Sequence, residues 1–110
     1  MHPRRGEVWW VSFDPSVGGE IQKTRPAVVL SNDSANAALN RVIVVPISSQ
    51  VAKVYPGEAL ISLNGEQRKA MADQIMTASK QRLKNKLGIL SRTDVNAVEG
   101  AVLLQLAIRR

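Results

Sequence analysis

The chain contains no cysteine and one histidine, His2. Disulfides, thiolate nucleophiles, iron-sulfur clusters and cysteine-type zinc sites are therefore excluded, and His2 lies in a terminus expected to fray. The remaining residue types for chemistry are Arg, Lys, Asp, Glu, Ser and Thr. No apolar run approaches the roughly 20 residues of a membrane span. The opening MHPRRGEVWW holds no apolar stretch of signal-peptide length, so the expected location is the cytoplasm. The GxGxxG, GxxxxGK, HExxH and GxSxG patterns are all missing, which removes the common nucleotide-binding, zinc-hydrolase and nucleophile-elbow readings. No repeat, linker or low-complexity segment interrupts the sequence.

What is present is a chain of 110 residues, 45% hydrophobic and 22% charged. These proportions describe one globular domain spanning 1–110, with enough apolar area for one core but not two. Fifteen Lys and Arg against nine Asp and Glu leave a formal charge of +6. A positive surface of this kind favours a polyanionic partner, because it attracts a phosphate backbone and releases its counterions.

Glu7 to Phe13 reads as a strand, closed by Asp14-Pro15 and Gly18-Gly19, and a loop runs on to about Thr24. Pro26 to Ser31 predicts a second strand, with Arg25 at the junction. Asn32, Asp33 or Ser34 is placed to cap one or two helical turns, and Arg41 to Ile47 (RVIVVPI) is the clearest strand. Glu58 to Leu63 and Lys69 to Ile75 read as a hairpin around Asn64-Gly65, a strong turn signal. Ser79 to Lys86 reads as a short polar helix. Ser91, with Asp94 three residues on, caps a final helix whose apolar face, Val95, Val98, Ala101 and Val102, closes the core. The expected architecture is a small, bent, mainly β sheet or partial barrel with helices laid on it.

Arg25 stands out because a guanidinium fixed at a loop-to-strand junction presents its planar fork to a phosphate. Ser48 and Ser49 end the strongest strand, where hydroxyls can donate to phosphate oxygens or simply shape a turn. Asp73 and Gln74 fall in the expected return strand between Ala72 and Ile75. A half-buried acid there needs a partner, and an internal ion pair with Arg25 competes with a role in a site. Trp9, Trp10 and Phe13 offer either base-stacking surfaces or core packing, and packing is the expectation. Lys80, Arg82, Lys84 and Lys86 form a basic run spread around a helix.

These residues together resemble the MazF/PemK (Kid) family of toxin endoribonucleases from bacterial toxin-antitoxin systems, over nearly the whole chain. Arg5-Gly6-Glu7-Val8 and Asp14-Pro15 carry the resemblance first, then Gly19-Glu20, Arg25-Pro26-Ala27-Val28-Val29-Leu30-Ser31 and Val45-Pro46-Ile47-Ser48-Ser49. Asp73-Gln74-Ile75 with Thr77, Lys80-Gln81-Arg82-Leu83 and Lys86-Leu87-Gly88 follow in the family's order. The resemblance implies a small SH3-like β-barrel (mainly β, α+β) with short helices and a C-terminal helix. It also implies a homodimer, an acidic antitoxin, and cleavage of single-stranded RNA with no metal or other cofactor.

By the same resemblance Arg25, Ser48 and Asp73 are catalytic, and Glu20, Lys23, Thr24, Ser31, Asn32, Ser49, Gln74 and Thr77 are placed near RNA. The implied reaction is attack by a ribose 2′-hydroxyl on its own 3′-phosphate, giving 2′,3′-cyclic phosphate and 5′-hydroxyl ends. Arg25 would clamp the phosphate, Ser48 would donate to a non-bridging oxygen, and Asp73 would either accept the 2′-proton or orient Arg25. The chain departs from the family at Ile21, where Gln is usual, at Met76, where a basic residue is common, and at Ser48, where Thr is commoner. Two other readings share the fold or the charge: a non-enzymatic toxin that binds a protein such as DNA gyrase, and a catalytically silent RNA-binding module.

Overall fold

The computed structural model describes residues 2–109. Its strands are β1 (Glu7–Ser12), β2 (Thr24–Val29), β3 (Arg41–Ser48), β4 (Glu58–Leu63), β5 (Glu66–Met71), β6 (Met76–Ser79) and β7 (Leu83–Ile89). Helix α1 (Asp33–Ala38) lies between β2 and β3, and α2 (Arg92–Gln105) follows β7. The strands run in the order β4-β5-β3-β2-β1-β7, with β6 also paired to β3, and form one curled antiparallel sheet, a half-barrel. This is the mainly β architecture that the sequence and the resemblance imply.

Strand β3 is the hub of the sheet. It pairs with β2 through Val44, Val45 and Pro46, with β6 through Arg41 to Val44, and with β5 through Ile47 and Ser48. Its β-branched residues suit a strand covered on both faces. Val45 and Ile47 enter one core cluster with Val8, Val28, Ile61 and Leu63, which Val98 and Ala101 of α2 help to cover. Val42 and Val44 enter a second cluster with Val11, Phe13, Ala27, Val29 and Ala78, against which Trp9, Ile21 and Met76 pack. Where the sequence predicts one core, the curled sheet carries a buried cluster on each face, one covered by α2 and the other by the β1–β2 loop through Ile21.

The caps and the turn read from the sequence are present. Asn32 Oδ1 accepts from the Ala35 amide at 2.8 Å to open α1, and Ser91 Oγ accepts from Asp94 at 3.1 Å to open α2. Asn64 and Gly65 both adopt positive φ, 51° and 82°, as the two central positions of a tight hairpin turn require.

Two expected elements differ. The return strand ends at Met71, because Met71 pairs with Glu58, the first residue of β4, and no partner strand continues beyond it. The chain instead turns through a 3₁₀ segment, Ala72–Gln74, closed by Ala72 N–H to Gly57 at 3.0 Å and Ile75 N–H to Ala72 at 3.2 Å. Asp73 therefore lies exposed on a turn, not half-buried in a strand. The expected polar helix at Ser79 to Lys86 shrinks to a 3₁₀ turn at Lys80–Arg82, although Ser79 Oγ does accept from the Gln81 amide. Residues from Leu83 onward instead become β7, because the open edge of β1 supplies backbone partners that weak helix propensity cannot outbid.

Candidate active site

Arg25 is the second residue of β2, opposite Val11 of β1. The loop feeding it is fixed at its base: Phe13 N–H donates to Lys23 C=O at 2.8 Å, and Lys23 N–H donates to Asp14 Oδ1 at 2.9 Å. Lys23 takes a positive φ of 68°, which turns the chain into β2. The Arg25 side chain is exposed, and its Nε donates to Gln22 C=O at 3.3 Å. Among the described residues no carboxylate pairs with it, so the internal ion pair with Asp73 does not form. Its terminal nitrogens remain available to an anion.

Arg25 lines a groove of about 370 Å³ with Trp10, Thr24, Ser49, Asn64, Glu66 and Arg68. Arg68 is tied to Glu66 at 3.0 Å, which places a second guanidinium in the same groove. Ser48, the last residue of β3, is half-buried, and its Oγ accepts from the Gln50 amide at 3.0 Å. That bond occupies a lone pair and leaves the hydroxyl proton free to donate.

Asp73, Gln74 and Glu20 line a different depression of about 330 Å³, together with Phe13, Met76 and Arg82. Gln74 clasps the β1–β2 loop with both ends of its amide: Oε1 accepts from Ile21 N–H and Nε2 donates to Gly19 C=O, each at 3.2 Å. Glu20 Oε1 accepts from Val17 N–H at 2.8 Å, so this carboxylate helps close its own loop. Arg82 donates to Ser12 and Asp14 carbonyls at 3.0 and 2.9 Å, pinning the exit of β1.

Ser31, Asn32 and Thr77 border a third, more apolar depression of about 220 Å³ with Leu39, Arg41 and Ile43. Ser31 Oγ donates to Asn36 Oδ1 and accepts from Ile43 N–H, while Asn32 caps α1. Both side chains are already engaged in the fold. Thr77 is exposed opposite Ile43.

The structure thus gathers Thr24, Arg25 and Ser49, with Ser48 beside them on the chain, and sets Asp73, Glu20 and Gln74 apart in a second depression. Sequence reasoning missed Arg68, Glu66 and Asn64, which the hairpin brings to the Arg25 groove, and the clamp made by Arg82. Arg68 follows the Asn64-Gly65 turn by three residues, but only the curl of the sheet reveals what it faces. Of the aromatics, Phe13 is 4% exposed and Trp9 packs on the core, whereas Trp10 lines the Arg25 groove. Packing was the right expectation for two of the three.

A buried acid, Glu7, ties the start of β1 to its surroundings. Burial pushes the Glu7 carboxyl up, but hydrogen bonds from Arg4 N–H, Lys86 and Trp9 outweigh it and hold Glu7 below the usual glutamate value. Lys86 Nζ reaches Glu7 Oε2 at 3.0 Å, joining β7 to β1. The Arg5 amide likewise holds the exposed Asp33 carboxylate below its ordinary range.

A curled antiparallel half-barrel with an exposed arginine in a groove and a hydroxyl at the neighbouring strand end defines a class of small, mainly β half-barrel proteins. Residues 4–106 match the family of PemK-like, MazF-like toxins of type II toxin-antitoxin systems. The chain belongs to that family. It is 42% identical over 112 residues to Endoribonuclease MazF9 of Mycobacterium tuberculosis, covering 94% of this chain and 95% of that one. It is 33% identical over 101 residues to Endoribonuclease toxin MazF of Escherichia coli, covering 91% and 90%. The MazF structure from Deinococcus radiodurans superimposes with a TM-score of 0.85 at 26% identity, covering 97% of this chain and 98% of that one. The fold is also that of a mycobacterial endoribonuclease solved with its cognate antitoxin, with a TM-score of 0.82, 20% identity and 98% of each chain covered. Among the described residues no helix is long and apolar enough to cross a membrane.

Proposed function

We propose that this chain is the toxin of a type II toxin-antitoxin pair and cuts single-stranded RNA by transesterification. The single observation that carries the reading is Arg25: a guanidinium held at its base by Gln22, unpaired with any described carboxylate and lining an open groove beside Ser49. The endoribonuclease relatives, which this chain spans almost end to end, favour it over a gyrase-binding or silent RNA-binding role.

The ribose 2′-oxygen attacks the adjacent phosphorus, the bond to the 5′-oxygen of the next nucleotide breaks, and a 2′,3′-cyclic phosphate and a 5′-hydroxyl remain. The 2′-proton leaves to a base and the departing 5′-oxygen gains one. Arg25 stabilises the growing phosphorane charge and Ser48 donates to a non-bridging oxygen. Asp73, exposed and lining a separate depression, is the candidate to accept the 2′-proton, and the alternative in which it orients Arg25 has no contact to carry it. The +6 charge concentrates RNA at the groove and suits an acidic antitoxin tail folding across it. The working form is a cytoplasmic homodimer.

The test is cleavage of a long single-stranded RNA with fragment ends mapped. Cyclic phosphate and 5′-hydroxyl ends, lost in Arg25→Ala, support the reading, and RNA left intact across varied sequences overturns it.

A further inference from the structure

Lys69 is the one buried cation of the described core. Its side chain is 8% exposed and that of its partner Glu58 is 10% exposed, and the two meet at 2.9 Å. A buried pair of this kind rarely adds stability over apolar residues of similar size, so its presence calls for another reason. The surroundings supply one. In the short β3–β5 ladder Lys69 is the register partner of Ser48. From that position its Nζ also donates to Lys53 C=O at 2.9 Å and stands 5.6 Å from the centre of the Tyr55 ring. Glu58 Oε1, held by Lys69, accepts in turn from Tyr55 N–H at 2.9 Å.

Lys53 and Tyr55 belong to the stretch between β3 and β4, which carries Ser49 into the Arg25 groove and has no strand or helix of its own. Its two ends are tied, by Gln50 N–H to Ser48 Oγ and by Ala72 N–H to Gly57 C=O. Its middle is held by Lys69.

We propose that Lys69 is a positioning residue for RNA cleavage: paired with Glu58, it anchors the Ser49–Gly57 segment and so fixes the Ser48 and Ser49 hydroxyls relative to Arg25. The inference rests on the reading of this chain as an endoribonuclease. A single ammonium satisfies both a carboxylate and a backbone carbonyl that an apolar residue would leave unbonded. Displacement of a reacting group by about 1 Å costs on the order of a hundredfold in rate, so a loosened segment is read directly in kcat.

The experiment compares wild type, Lys69→Met, Lys69→Arg and the double variant Glu58→Gln with Lys69→Met, in full-length protein. Steady-state cleavage of one RNA and thermal unfolding are measured for each. Lys69→Met alone strands a buried carboxylate, so the double variant, which leaves no unpaired charge, keeps the test independent of folding. The expected result is a double variant that melts near wild type, keeps its KM, and loses about a hundredfold in kcat. Lys69→Arg retains a donor for Lys53 C=O and recovers most of that loss. A double variant that folds and cleaves at the wild-type kcat, or one whose loss lies entirely in KM, overturns the proposal. Wild-type protein that leaves every RNA intact overturns the endoribonuclease reading itself.

Discussion

Gln74 holds Ile21. The amide of Gln74, on the turn that presents Asp73, accepts from the Ile21 backbone and donates to Gly19, so the β1–β2 loop and the Asp73 turn form one unit. The family usually carries Gln where this chain has Ile21, and here the main chain at that position makes the contact. Gln74 is thus first a clamp on the loop, whatever it also offers to RNA.

Gln74→Ala should therefore loosen the Glu20 loop without unfolding the protein. Two hydrogen bonds near the surface are worth about 1 kcal/mol each at most, so the melting point should move little. Cleavage should fall, by up to about a hundredfold if the loop orders substrate. Hydrogen exchange at Ile21, the amide that donates to Gln74, checks the mechanism: faster exchange there is expected, and unchanged exchange contradicts the clamp.

Removing the open guanidinium should separate activity from stability. Arg25→Ala breaks only one long bond to Gln22 and no ion pair, so unfolding should stay close to wild type. Loss of one transition-state donor should cost about a hundred- to a thousand-fold in cleavage rate. Single-turnover kinetics beside thermal melts test both halves together.

Acid should destabilise the fold through Glu7. Its folded value lies below the unfolded one, so it stabilises the protein fully above the ordinary glutamate value of about 4.3 and loses this contribution as pH falls through the lowered folded value. Glu7→Gln should lower stability by about 1 kcal/mol near neutrality and should flatten the decline below that range. Urea midpoints measured from neutral to acid pH would show the two curves converging, and parallel curves would refute the assignment.

Binding of RNA should weaken steeply with salt. Each phosphate contacted by a cation contributes a slope of about 0.7 in log affinity against log salt for single strands. Arg25→Ala should reduce the slope by about one such contact, and a slope independent of Arg25 would remove it from the phosphate path.

Much of the fold is legible in local chemistry. Ser91 and Asn32 cap helices where their side chains predict it, and the Asn64-Gly65 turn fixes β4 and β5 in register. The run from Arg41 to Ile47 is β-branched enough that only a strand suits it. The misreadings arise where a tertiary partner decides. Lys84 and Lys86 look helical until the open edge of β1 claims them, and Asp73 looks buried until β4 runs out opposite Met71. The site shows the same division: Arg25 and Ser48 are marked by their positions at strand ends, whereas Arg68 and Lys69 acquire their surroundings only when the hairpin bends over β3.

The most direct measurement is to incubate the purified protein with a long single-stranded RNA in EDTA, beside Arg25→Ala, and to map the fragment ends. The account predicts discrete cuts bearing 2′,3′-cyclic phosphate and 5′-hydroxyl ends, abolished by the substitution. RNA that stays intact in both, or cuts that persist unchanged in Arg25→Ala, would contradict it.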